Sequence, residues 1–203
     1  MNKNLQQDNI SRLPSITTIS LLSGIIWLIL SVIIIHFLQQ RLFFEVLLEG
    51  DSYIIQLITG ISFGILFGLA ALKLITYPQL KKVLDDYVII RQIKEYSLTP
   101  FQVFHISIVA GITEEILFRA AIQPLLGIWL TSLLFIAIHG YIRFKTGHHM
   151  MFGLFTFLLS MMLGYLYMFF GIFAAIAAHA VYDVIVLWKI SKDSSTGSDE
   201  LTS

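Results

Sequence analysis

Three short polar patterns break otherwise apolar stretches of this 203-residue chain: Glu114-Glu115-x-x-x-Arg119, Phe135-x-x-x-His139 and His179-x-x-x-Asp183. The first falls inside 103–126, a run that otherwise reads as a membrane-spanning helix, where each ionisable side chain costs roughly 2.5 to 3.5 kcal/mol to insert. A carboxylate and an imidazole placed there can hold and deprotonate a water for attack on a peptide carbonyl, while a second imidazole stabilises the oxyanion. That chemistry needs no cofactor. The same residue types also suit a hydrolytic zinc site, with His139, His179 and Glu114 as ligands and a fourth position open. The missing His-Glu-x-x-His spacing makes zinc the lesser alternative.

Helical spacing sorts these residues. Glu115 and Arg119 are four apart with the acid N-terminal, so they share a face in the better orientation for pairing. Glu114 points about 100 degrees away and has no cation at helical spacing, which leaves it as the candidate proton acceptor. In the plainer reading both acids only tie helices together. Pro124 to Trp129 should hold a turn, because proline and glycine end the helical pattern there. Centred on Gly127, an antiparallel hairpin brings Glu114 and His139 to one depth, about 18 to 20 Å from the turn. Phe135, one helical turn before His139, would shield it from water or lipid. His179 and Asp183 also share a face, on a helix whose Ala174, Ala175, Ala177 and Ala178 admit close neighbours. By helical rise they lie roughly 10 and 16 Å into the membrane, bracketing the depth of Glu114 and His139.

The elements that must hold these groups are membrane helices. The chain is 57% hydrophobic and 13% charged, too apolar for an ordinary water-soluble domain, and it carries several runs long enough to span a bilayer. The expected fold is all-α: one domain over 16–190, with about six transmembrane helices at 16–38, 52–77, 101–126, 129–144, 150–170 and 172–190. One amphipathic helix over 79–96 lies in the interface, its stripe being Leu80, Val83, Leu84, Tyr87, Val88 and Ile90. Thr99-Pro100-Phe101-Gln102 forms a capping box that starts the third span. Gly60, Gly64 and Gly68 form a small-residue stripe, read as packing only. The segment 1–15 precedes the first span, and a polar tail, 191–203, is expected to be disordered.

Eleven of the Lys and Arg residues fall on one side of this topology, and only Arg41 and Arg119 fall elsewhere. The positive-inside rule then puts both termini in the cytoplasm. The net charge is zero and no cysteine is present. Those facts remove a basic nucleic-acid surface, disulfides, thiolate zinc sites and cysteine nucleophiles. His36 and the pair His148-His149 sit at span ends, where solvent or headgroup contact explains them, and His105 is about 13 Å along the helix from Glu114. None of them is assigned chemistry.

With these motifs in this order, the chain resembles the CPBP intramembrane proteases, the group that includes the CAAX prenyl endopeptidases and bacterial Abi-type proteins. The resemblance covers about 101–189. It implies a glutamate-type intramembrane endopeptidase in a bacterial cell membrane, acting on a peptide or membrane protein. Glu114 would serve as the base with His139 on the water, His179 and Asp183 would lie on the oxyanion side, and Glu115, Arg119 and Phe135 would support the site. The prenyl-processing members carry asparagine where this chain has Asp183. An aspartate cannot donate to an oxyanion, so Asp183 is expected to orient His179 instead. Two other function classes fit the same polar network: a non-catalytic membrane protein of bacteriocin self-immunity or regulation, and a proton-coupled carrier. The carrier is the weaker of the two for want of inverted-repeat or broken-helix signals.

Overall fold

The computed structural model describes residues 15–96 and 98–199. The expected segment 1–15 lies almost wholly outside them, as do the last four residues of the expected tail. The described chain is helical: α1 (Ile16–Ile33, continued by a π-helical turn, Ile34–Leu38), α2 (Phe43–Leu47), α3 (Tyr53–Ile75), α4 (Pro78–Leu84), α5 (Val88–Tyr96), α6 (Pro100–Glu115), a π-helical stretch (Ile116–Ile122), α7 (Gln123–Ile138), α8 (Gly147–Phe170) and α9 (Ile172–Asp199). Five stretches are long and apolar enough to cross a membrane: Ile16–Leu38, Tyr53–Ile75, Pro100–Ile138, Gly147–Phe170 and Ile172–Asp193.

The long stretch Pro100–Ile138 is two arms. Gly127 takes φ 74° and ψ 168°, a conformation that L side chains avoid and glycine adopts freely, and the chain reverses there. The returning helical arm, 128–138, rises only about 16 Å, roughly half the hydrocarbon thickness. The fourth span expected as a helix to 144 is therefore half helix, and non-helical chain through 146 completes it. Irregular backbone at that depth is tolerated only where protein or a polar cavity covers it. Here the turn between α4 and α5 lies over it: Tyr87 meets the Tyr141 ring at 5.8 Å and the Arg143 guanidinium at 5.4 Å.

Local sequence explains the other boundaries. Thr99 and Gln102 form the expected capping box, each side chain accepting from the other's backbone N–H. Pro124 lacks the N–H that would bond the carbonyl four residues back. Gln39 fills that gap, its Nε2 donating at 2.8 Å to both Ala120 O and Ala121 O. The amphipathic 79–96 segment is two short helices broken at 85–87, and Leu80, Leu84, Tyr87, Ile90 and Ile93 are buried in one cluster with Ile75 and Leu187. On the opposite side, Asp51 N donates to Phe170 O at 2.7 Å. Gly60 and Gly64 bring α3 against the α9 backbone so closely that a Cβ on Gly64 would lie 2.7 Å from Ala178 O. The last helix does not stop at 190 as drawn from sequence. It continues through Asp199, with Lys189 and Asp193 paired at 2.7 Å.

Candidate active site

A buried relay links three helices. Arg119 and Glu115 have no exposed side-chain surface, and Arg119 Nε donates to Glu115 Oε2 at 2.9 Å. Arg119 Nη2 also donates to Ser160 Oγ of α8 at 2.8 Å. The second Glu115 oxygen accepts from His179 Nδ1 of α9 at 2.8 Å. The π-helical stretch places Arg119 on this path, and wide turns of this kind recur at functional sites. With its Nδ1 proton committed to Glu115, His179 keeps Nε2 toward Asp183, 3.6 Å away, which is too long for a hydrogen bond.

The second pair reaches open space. Glu114 and His139 are 17% and 18% exposed, and His139 Nε2 lies 3.3 Å from Glu114 Oε2. Along one unbroken helix they would be about 37 Å apart, so the reversal at Gly127 creates the pair. His139 Nδ1 donates to Phe135 O at 2.7 Å, since a carbonyl can only accept. That fixes Nε2 as the atom facing the carboxylate. Glu114 Oε2 has no hydrogen-bond partner among the described residues. Two groups competing for one proton, with an unfilled acceptor between them, suit a water that donates to both.

The end of α7 builds this corner. Gly140, at φ 71°, stops the helix one residue after His139. Gly140 N donates to Ala137 O at 3.0 Å and Tyr141 N to Ile136 O at 2.9 Å, the paired bonds of a Schellman motif. The motif folds Tyr141 back until its ring stacks on His139, with centroids 5.6 Å apart and planes at 23°. Phe135 stacks on the same imidazole at 4.3 Å, meets His179 at 6.0 Å and lies under the Arg119 guanidinium at 5.5 Å. It is the packing centre for both histidines as well as a shield for one.

Glu114, His139, His179 and Asp183 line one cavity of about 260 Å³, together with Tyr141 and Tyr182. The remaining wall is mainly aliphatic, from α3, α5, α6, α8 and α9. The cavity thus runs from the polar pairs toward the surface helices. Among the described residues no three His, Asp or Glu side chains are grouped to hold a metal. His179 Nδ1 is already a donor to Glu115, and His139, His179 and Glu114 do not converge as a ligand triad.

All seven motif residues expected from sequence gather here, with one change of partner. Glu115, rather than Asp183, makes the hydrogen bond that orients His179. His149, read from sequence as a solvated boundary residue, is 2% exposed. Its Nε2 donates to Asp86 Oδ2 at 3.0 Å, and Nδ1 lies 2.8 Å from Thr146 Oγ1. Sequence reasoning missed Ser160, which no local pattern marks. It also missed Tyr141, for which Gly140 directly after the last periodic residue was the available signal.

Residues 96–185 match the family described as Type II CAAX prenyl endopeptidase Rce1-like. The matched stretch contains all three motifs, and over it the chain is similar to this CAAX-protease-like, or CPBP, family of proteases. With its long apolar helices the protein is a multi-pass membrane protein, and its residues 96–185 are similar to a protease family. Comparison with curated proteins and comparison with solved structures each gave no match.

Proposed function

We propose that the protein is an intramembrane endopeptidase of the glutamic type, with both termini in the cytoplasm of a bacterial cell. The observation that carries this reading is the Glu114–His139 pair, 3.3 Å apart at the wall of a shared cavity. A water donating to both groups loses a proton to the pair as its oxygen attacks a peptide carbonyl. The Nδ1–H donation to Phe135 keeps the His139 lone pair, or its acquired proton, on the reacting side. His179 donates from Nδ1 to Glu115 and has Asp183 beside it, and as the imidazolium held by these two carboxylates it donates Nε2–H to the developing oxyanion. Glu115, Arg119 and Ser160 touch no substrate and position that ring. The substrate is a peptide or a membrane-protein segment, and the aliphatic wall suits one that carries an apolar chain beside the scissile bond.

The test uses purified protein in lipid nanodiscs with a peptide library that includes farnesylated CAAX peptides, with and without a strong chelator. Wild type cleaves, Glu114→Gln does not, and the chelator changes neither. Activity retained in Glu114→Gln would defeat the proposal. Chelator-sensitive cleavage restored by zinc would replace it with a metal mechanism. A cellular output that survives both Glu114→Gln and His139→Ala would indicate a non-catalytic role.

A further inference from the structure

We propose that Tyr141 is a second oxyanion donor, its phenol O–H bonding the carbonyl oxygen of the scissile peptide. The inference rests on the peptidase reading above. In that reaction the water oxygen bonds to the carbonyl carbon while its proton passes to the Glu114–His139 pair, and the carbonyl π electrons move onto oxygen. When the C–N bond breaks, that electron pair returns to re-form C=O, and the same proton goes to the leaving amine. Negative charge builds on the oxygen between these events, so donors aimed there have the largest leverage.

The three motifs are short of such donors. Asp183, as a carboxylate, only accepts. His139 Nδ1 is spent on Phe135 O, and His179 Nδ1 on Glu115. Of the motif side chains that line the cavity, only His179 is left with a donor to give, the Nε2–H of its imidazolium. Tyr141 shares the cavity with all of them, and its ring lies against His139, centroids 5.6 Å apart. Its hydroxyl makes no hydrogen bond to any described residue and is not among their buried polar atoms, which leaves it open to a group entering the cavity.

The ring is also held still. The Schellman turn fixes its backbone. His139 stacks on it, Tyr87 meets it at 5.8 Å and Phe152 at 5.5 Å, edge-on at 89°. A donor fixed before substrate arrives needs no reorganisation during reaction. Tyr182 lines the same cavity but has no ring contact with either histidine, which makes it the natural control.

Tyr141→Phe keeps the stack and removes only the hydroxyl. Assayed on whichever library peptide wild type cleaves, it should lower kcat by about 10²- to 10³-fold, the loss expected for one oxyanion donor, with KM within about threefold. Tyr182→Phe should stay within about threefold of wild type in both constants. The inference is overturned if Tyr141→Phe keeps kcat within threefold, or if Tyr182→Phe loses as much. Glu114→Gln in parallel separates the two failures. If Glu114→Gln is dead while Tyr141→Phe is fully active, only the tyrosine assignment falls. If both are as active as wild type, the peptidase reading falls and takes this one with it.

Discussion

Glu114 and Glu115 are adjacent carboxylates in opposite circumstances, and replacing each by glutamine should give opposite signatures. Glu115 is fully buried and accepts from Arg119 at 2.9 Å and His179 at 2.8 Å. Glutamine at that position keeps the shape, but its NH2 must face one of those two donors, and Arg119 is left as a buried cation without a counterion. Breaking one side of a buried ion pair costs about 3 to 5 kcal/mol. Against a total stability of about 5 to 15 kcal/mol, Glu115→Gln should lose about a fifth or more of the folding free energy. Glu114 has an unfilled oxygen and reaches the cavity, so Glu114→Gln should shift stability by less than about 1 kcal/mol while removing activity. Unfolding in mixed micelles, followed by Trp fluorescence against denaturing detergent, reads both. Adding Arg119→Met to Glu115→Gln removes the orphaned cation, so the double variant should be more stable than the sum of the two single losses, by about 1 to 3 kcal/mol. Equal stability for Glu114→Gln and Glu115→Gln would refute this division of roles.

Gly140→Ala meets no atom within 4 Å but must hold φ +71°. It should cost about 1 to 2 kcal/mol and, by displacing His139 and Tyr141, lower kcat more than KM. Gly64→Val should drive a side chain into Ala178 O and Val181 of α9, and reduced folded yield from membranes would show it. Asp86 is held below its ordinary value of 3.8, first by the hydrogen bond from His149 and then by that from Lys145. Because the folded value is the lower one, the clasp is intact above pH 3.8 and is lost as pH falls through that lower value. Amide protection in α4 and α5, corrected for the pH dependence of the chemical exchange rate, should stay constant near neutral pH and fall in that acid range, whereas Asp86→Asn should show lower protection at neutral pH.

Short-range pattern is enough for much of this protein. Long apolar runs, the capping box at Thr99 and Gln102, and the nearly equal offsets of Glu114 and His139 from Gly127 each follow from rules that operate within one helix or one turn. The half-length of the returning arm was also written locally, in Gly140, but a six-span template over-rode it. The break in the surface helix at 85–87 was hidden in the same way, because an amphipathic stripe continues across it.

Sequence by itself determined which side chains would be too costly to bury without a purpose and which helix face each would occupy, because periodicity and insertion cost are properties of a single segment. Only the tertiary structure decided the partners: Glu115 rather than Asp183 on His179, Ser160 behind Arg119, His149 on Asp86, and Tyr141 against His139. A hydrogen bond between helices depends on their relative rotation and depth to within about an ångström. Those two quantities are set by the whole packed bundle, so no single segment encodes them.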